Sequence, residues 1–274
     1  MAEFHNRTRR SSSISRKLLR NGRALELPVY WLLRTSDLAR EGFENSGSYR
    51  FADHIYRGQP SGSYGIGRWL DKRILRMRAV QSFRSRFFMA RDELCKFLQE
   101  RSKDRVSLDI LSVPCGIPRE FVAAVKQFHG TGGVTTGIRF HGLDLDNDVL
   151  RQAETFARQH GIALIAHHGD ALDMTIYACE FDFITSTGLG EFLDDEQLAT
   201  LYATFHRVLR PGGIMVTSAM RCLRFSDYLL RLAELHVRYR SADDLATMAR
   251  RAGFLRLAKS ADRYGIQGFL KATK

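Results

Sequence analysis

From residue 107 onward, short apolar runs alternate with stretches in which apolar residues recur every three or four positions. The runs 107–113, 138–143, 162–166, 181–185, 214–218, 254–258 and 267–272 read as strands. The stretches 121–128, 149–160, 195–209 and 243–252 read as amphipathic helices. In the third of these, Leu198, Leu201, Tyr202, Phe205, Val208 and Leu209 share one face. Strand–helix alternation is what a parallel sheet with crossover helices requires, so this region predicts a Rossmann-like, doubly wound α/β domain. Arg210-Pro211-Gly212-Gly213 predicts a helix stop and a turn ahead of the next strand, because proline cannot extend the backbone ladder and glycine accepts positive φ.

The first hundred residues lack this alternation. Their spacing predicts helices over 15–23, 28–39, 66–77 and 80–99, separated at 44–65 by an ordered loop rich in Gly, Ser, Asn and Tyr. Tyr49, Phe51, Ile55, Tyr56 and Tyr64 in that loop need cover, which suits a lid over a catalytic face. The chain therefore divides into a basic, flexible tail (1–20), a helical extension or lid (21–104) and an α/β domain (105–274). Charge follows the same division. Residues 1–105 hold 23 Lys and Arg against 11 Asp and Glu, whereas residues 106–274 hold 19 of each, so the net +12 belongs to the N-terminal third. Such asymmetry points to an anionic partner for the extension: a nucleic acid, a membrane surface or an acidic protein. No apolar run approaches the ~20 residues that cross a bilayer, and no apolar stretch follows the N-terminal charges, so the expected compartment is the cytoplasm. Cys95, Cys115, Cys179 and Cys222 are widely spaced, and no metal site or disulfide framework is expected from them.

The chemistry-bearing residues lie where the α/β pattern turns. In open α/β sheets, ligands bind beyond the carboxyl ends of the strands, and the first strand-to-helix turn carries small residues so that backbone can approach the ligand. Ser112-Val113-Pro114-Cys115-Gly116 occupies that turn, and Ile117-Pro118-Arg119-Glu120 follows it. The second strand ends at Gly142-Leu143-Asp144-Leu145-Asp146, where the Asp144 carboxylate can accept both hydroxyl hydrogens of a ribose. Asp146 and Asn147 read better as the start of the next helix. After the third strand, Gly169-Asp170-Ala171-Leu172 offers an acid for an adenine amino group with apolar neighbours for the ring. The fourth strand then delivers Thr185-Ser186-Thr187-Gly188-Leu189-Gly190-Glu191 to the same edge.

Four of these segments, 111–120, 142–146, 169–172 and 191–213, stand in the order and at the spacings of class I S-adenosylmethionine-dependent methyltransferases, which the region resembles over about 165 residues. The most specific is His206-Arg207-Val208-Leu209-Arg210-Pro211-Gly212-Gly213. The resemblance implies a seven-stranded mixed sheet with a reversed final hairpin and S-adenosylmethionine as cofactor. It places Gly116 by the methionine part, Asp144 on ribose, Asp170 on adenine, and Ser186 and Thr187 near the methyl donor, with Ser112, Pro114, Cys115, Leu145 and Ala171 also against the cofactor. The chain departs from the family where the first motif normally has an acid and further glycines: Ser112, Pro114 and Pro118 stand there. Asn45-Ser46-Gly47-Ser48-Tyr49 and His54-Ile55-Tyr56-Arg57-Gly58-Gln59-Pro60 also resemble the extension of an uncharacterised bacterial methyltransferase family.

Methyl transfer from a sulfonium asks chiefly that the acceptor be positioned and desolvated. Where the acceptor is a hydroxyl or amine, Glu191, His206 and His236 are the candidate bases. Tyr56, Tyr64, Tyr228 and Tyr239 are candidate walls of an acceptor pocket, and Arg221 and Arg224 candidate anchors for an anionic acceptor. The leading expectation is a methyltransferase for a small-molecule or lipid-like acceptor, such as a carboxylic or fatty acid. Its basic extension would then dock an acidic carrier protein or a membrane surface, or pair with a second copy. An RNA methyltransferase using the basic extension, and a non-catalytic binding protein that kept the fold, are the alternatives. Nucleic acid is the less favoured partner because no Asn-Pro-Pro-Tyr-type segment follows the fourth strand.

Overall fold

The computed structural model describes residues 15, 19–20, 22, 24–44, 49–62, 64–101, 107–223, 227 and 236–274. The chain separates into two compact units. One comprises residues 1–84 with 222–237, and the other residues 85–221 with 238–274.

The second unit holds a seven-stranded sheet in the order β3-β2-β1-β4-β5-β7-β6. Its strands are β1 (Leu108–Ser112), β2 (Ile138–Asp144), β3 (Leu164–His168), β4 (Phe181–Ser186), β5 (Leu209–Met220), β6 (Arg256–Ala261) and β7 (Gln267–Thr273). β1 to β5 run parallel, and β7 is antiparallel to both β5 and β6, which gives the expected reversed hairpin. The order reverses between β1 and β4, the place where strand ends of a doubly wound sheet splay apart to leave a crevice.

Side-chain alternation along the strands builds two apolar layers. Leu111, Val113, Leu143, Ile184 and Met215 pack beneath α8 (Asp195–Val208) and α9 (Ala242–Arg251) through Leu198, Tyr202, Phe205, Leu245 and Ala249. On the other face, Ile110, Phe140, Phe183 and Val216 meet Phe121, Val125 and Phe128 of α6 (Arg119–Gly130). Leu94, Phe97 and Leu98, from the end of α5 (Arg78–Arg101), complete that layer. The boundary expected at residue 105 follows the first strand, whereas packing assigns α5 from Ser85 onward to the sheet. α7 (Asn147–Gln159) covers the β2–β3 side through Leu150 and Ala153.

The first unit contains α1 (Leu27–Leu33), α2 (Asp37–Glu44), α3 (Tyr49–Arg57), α4 (Tyr64–Leu75) and the opening turns of α5. Its apolar centres are small: Tyr30 with Phe43, and Leu38 with Ile55 and Leu75. A fully buried Asp71 on α4 joins its parts. One carboxylate oxygen accepts from the Ser36 hydroxyl and the Leu38 N–H, the other from the N–H groups of Ser61 and Gly62 at 3.0 and 2.7 Å.

Three sequence expectations are corrected. The loop expected over 44–65 contains α3, because residues 49–57 lack Gly and Pro, Ile55 turns inward against Leu38 and Leu75, and Arg57 pairs with Asp53 one turn back. The third strand starts later than 162. Ile162 donates its N–H to Ala157 O at 3.0 Å beyond Gly161 (φ +76°), so it closes the end of α7. The turn expected at 210–213 is an irregularity inside β5, where Leu209 pairs with Phe181 but Ile214 with Phe183. Most of the helix expected over 15–23 lies outside the described residues.

Candidate functional site

The carboxyl ends of β1, β2, β3 and β4 form one edge, and the register fixes what meets there. Ser112 stands opposite Gly142 on β2 and Thr185 on β4, Asp144 opposite His168, and Ser186 opposite Thr217. After β1 the backbone turns through a cis Val113–Pro114 bond and Gly116 at φ +51°, a conformation that disfavours residues with a Cβ. Cys115 lies so close over Gly142 that a Cβ there would come within 2.4 Å of its Sγ, which explains glycine one turn of chain before the acid.

Asp144 is half-buried at the centre of this edge. Its Oδ2 accepts from the Gly116 N–H at 3.0 Å and its Oδ1 from the Asp146 N–H at 3.1 Å. Burial raises its pKa from the ordinary value, against those same backbone bonds. Each oxygen keeps a lone pair, so the carboxylate can still accept two hydroxyl donors. Asp146, by contrast, caps α7 through the N–H groups of Asp148 and Val149, as the sequence suggests. Leu145 is exposed beside Asp144, and its carbonyl faces His168 Nε2 at 3.1 Å. Asp170 is half-buried and accepts from the Leu172 N–H at 2.9 Å, with Ala171 buried behind it.

A further acid, given no role by sequence reasoning, sits at the first turn. Glu120, in the first turn of α6, accepts from the Ser112 hydroxyl at 3.1 Å. Desolvation pushes its pKa up to about 7, in spite of the bonds from its own backbone and Ser112. The signal was the serine at a strand end where an acid belongs, followed eight positions on by a glutamate.

The segment after β4 is clamped from several directions. Ser186 is buried at the strand end, and Thr187 is half-buried. Gly188 has φ +94°, and a Cβ on it would meet the Arg86 guanidinium at 2.8 Å. Arg86 Nη1 donates to Glu191 Oε1 at 2.9 Å, both side chains being buried. Glu191 is thus held in an ion pair, which suits positioning better than proton abstraction. Arg240 donates to the Leu193 carbonyl at 2.8 Å and Asp195 at 2.6 Å, and also to the Gly190 carbonyl. The neighbouring Arg238 N–H reaches the Glu191 carbonyl, bringing half-buried Tyr239 to this edge. Arg221 follows β5, exposed, its N–H on the Ile266 carbonyl.

Other candidates fall elsewhere. His206 lies in the last turn of α8, edge-on to Phe254 at 5.0 Å and next to the start of β5. That is the opposite edge of the sheet, so the fold does not bring His206 together with Asp144 and Ser186. His236 is exposed in the segment grouped with the first unit. Tyr56 packs on Phe83 at 5.7 Å within that unit. Tyr64 begins α4, but its side chain, like Arg224 and Tyr228, lies outside the described residues.

The amino ends of the strands carry a separate polar cluster. Fully buried Asp109 receives Arg139 in two bonds of 2.6 Å, Arg210 at 2.8 Å and His141 at 3.0 Å. His141 in turn meets His167 at 2.9 Å. Ligand-type atoms of Asp109, His141 and Cys179 lie within 4.8 Å of one another. The two guanidiniums already on Asp109 make the cluster an electrostatic clasp and not a cation site.

Residues 110–213 match the model of a family described as methyltransferase domain. Demethylmenaquinone methyltransferase of Staphylococcus saprophyticus is 33% identical over 107 residues, which is 39% of this chain and 42% of that one. The protein of the same description from Geobacillus stearothermophilus is 28% identical over 145 residues, 52% of this chain and 55% of that one. The match thus spans about half the length of these curated relatives. Among solved structures, one described as a possible exported protein from Bordetella parapertussis superposes with a TM-score of 0.77 at 22% identity, covering 100% of this chain and 96% of that one. Magnesium protoporphyrin IX methyltransferase from Synechocystis, crystallised with bound SAH, gives 0.57 at 12% identity, covering 87% and 100%. At these identities the likeness is one of fold.

Proposed function

We propose that this chain, whose residues 110–213 match a methyltransferase domain, is a class I S-adenosylmethionine-dependent enzyme that transfers a methyl group to a small-molecule or lipid-like acceptor. The observation that carries the reading is the Asp144 carboxylate, desolvated and anchored by the Gly116 and Asp146 N–H groups beside a glycine turn. Such an acid suits a vicinal diol, and the edge around it supplies the rest of a nucleoside receptor.

When bound, S-adenosylmethionine supplies a sulfonium-activated methyl group. The residues that would hold it are Asp144 for the ribose hydroxyls, Asp170 with Ala171 for adenine, Gly116 and the Ser112–Glu120 pair for the charged methionine end, and Ser186 and Thr187 near the reacting atoms. Glu120 supplies from the helix the negative charge that Ser112 lacks, 3.1 Å from the serine hydroxyl. The Arg86–Glu191 pair and Arg240 fix the post-β4 segment, so the wall of the reaction centre is rigid before an acceptor arrives. With Glu191 engaged, the arrangement favours positioning over proton removal. That suits an acceptor already anionic at neutral pH, such as a carboxylate, for which Arg221 is an anchor at the same edge. The demethylmenaquinone methyltransferases support a lipid-like acceptor. Four free thiols support a reducing, cytoplasmic setting.

Two measurements test the reading. Calorimetry with S-adenosylhomocysteine should show stoichiometric binding, and labelled methyl groups from S-adenosylmethionine should appear in methyl esters recovered from organic extracts incubated with the protein. Absence of nucleoside binding would overturn the assignment. Binding without any labelled product would leave a nucleoside-binding protein in its place.

A further inference from the structure

The chain contains two tryptophans, Trp31 and Trp69, and each leaves 54% of its surface exposed. Both lie in the first unit, on α1 and α4, and neither is isolated. Leu25 (93% exposed), Val29 and Leu32 follow one another at four- and three-residue spacing along α1 and the turn before it, so they form an apolar stripe turned toward solvent. On α4, Ile66, Trp69 and Arg73 share a face in the same way. The turn that follows α1 meets α4. A Cβ on Gly67 would come within 2.1 Å of the Thr35 carbonyl oxygen. That contact places the turn after α1 beside the opening of α4, where Ile66 and Trp69 stand on either side of Gly67.

Single exposed apolar side chains are ordinary, but a solvent-facing stripe on each of two helices, with both tryptophans of the chain exposed on those same helices, is not. The charges exposed along α4 are of one sign. Arg68, Lys72, Arg73 and Arg76 are exposed on or just beyond α4, whose single acid, Asp71, is turned inward and hydrogen-bonded. Arg34 lies 5.3 Å from the Trp31 ring and Arg73 5.2 Å from the Trp69 ring. Aliphatic and indole side chains interleaved with guanidinium and ammonium groups match a surface that is apolar below and anionic above.

We propose that α1 and α4 form a docking face for an anionic lipid bilayer. Tryptophans settle at the headgroup level, Leu25, Val29, Leu32 and Ile66 enter the acyl boundary, and the basic residues of α4 meet lipid phosphates. RNA, whose phosphates and bases suit the basic and indole groups, leaves the four aliphatic side chains unexplained, and a neutral apolar partner leaves the charge unexplained. The proposal goes beyond the methyltransferase reading and does not depend on it.

Because the two tryptophans are themselves the proposed anchors, their emission reports docking directly. The full chain is mixed with vesicles of phosphatidylcholine alone, or with phosphatidylglycerol added, at low ionic strength. Anionic vesicles are expected to shift the emission to the blue and co-sediment the protein, and neutral vesicles to do neither. W31F and W69F, each keeping one reporter, should both show the shift. K72E/R73E should weaken partitioning at least about tenfold, since each basic residue at an anionic surface contributes a several-fold factor. Circular dichroism and an unchanged thermal unfolding transition check that it remains folded. No blue shift with anionic vesicles, or an equal one with neutral vesicles, would overturn the proposal. So would RNA retention without vesicle binding, or concentration-dependent dimerisation that buries the tryptophans. None of these readouts involves methyl transfer, so the failure of either proposal leaves the other standing.

Discussion

Asp144 serves the fold and the proposed ligand with the same atoms. Its oxygens hold the Gly116 and Asp146 N–H groups at 3.0 and 3.1 Å, so the acid positions the first turn whether or not a nucleoside is present. Replacing it with alanine removes charged hydrogen bonds to the ribose, and S-adenosylhomocysteine should bind about 1–3 kcal/mol more weakly in calorimetry. Unchanged affinity would remove Asp144 from the site. Glu120 adds a pH dependence. Its carboxyl, raised to about 7, is largely neutral below that pH, whereas an ammonium partner requires the carboxylate. Affinity should therefore rise as pH increases from 6 to 8. The E120Q variant should bind weakly, with a flat profile. The raised pKa has the opposite sign for the unliganded fold. Glu120 holds its proton more firmly when folded, so its contribution to stability falls as pH rises from about 4.5 toward 7. Asp144 was legible in sequence because a strand end followed by a helix start leaves an acid little choice of position. Glu120 was not, because its partner stands on another element.

At the scale of elements, α7, α8 and α9 begin on explicit signals. α8 starts with a reciprocal cap, Asp194 accepting from the Gln197 N–H while the Gln197 side chain accepts from the Asp194 N–H. D194A should cost about 1 kcal/mol in chemical denaturation, without altering affinity for S-adenosylhomocysteine. A larger loss confined to ligand binding would show that the cap also shapes the site. α7 and α9 likewise open on side-chain caps, Asp146 and Ser241, whereas α6 follows Pro118 without one; apolar spacing made all four readable to within a few residues. α3 escaped because its flanks are rich in Gly and Ser and its inward side chains are few; its order rests on Ile55 meeting Leu38 and Leu75 from other helices. Ile162 misled for the opposite reason, since a buried apolar residue beyond a helix end and one opening a strand look alike in sequence.

At the scale of the whole molecule, the amino edge of the sheet is closed by charge. Burial opposes ionisation of Asp109, but bonds from Arg139, Arg210 and His141 outweigh it and hold the carboxyl well below the usual aspartate range. Its contribution is complete above the ordinary aspartate pKa of 3.8 and is lost as pH falls below it. His141 and His167 are both lowered from 6.5, chiefly by burial, so each takes up a proton on unfolding and stability should climb as pH rises through 6. D109N should lose roughly 1–3 kcal/mol at neutral pH, because the charged hydrogen bonds from Arg139 and Arg210 to a buried carboxylate are lost, and its denaturation midpoint should depend less on pH in acid. A midpoint close to that of the original protein would reduce the clasp to a surface pair. By itself the sequence determined the doubly wound class, the amphipathic faces, the edge at which Ser112, Asp144, Asp170 and Ser186 gather and the uneven charge, because each depends on periodicity or on neighbours along the chain. Only the tertiary structure decided that Glu191 belongs to Arg86, that His206 lies on the far edge, that Glu120 stands behind Ser112 and that both tryptophans face solvent. Those facts depend on which residues distant in sequence share a dry interior, and a linear pattern of polarity does not carry that information.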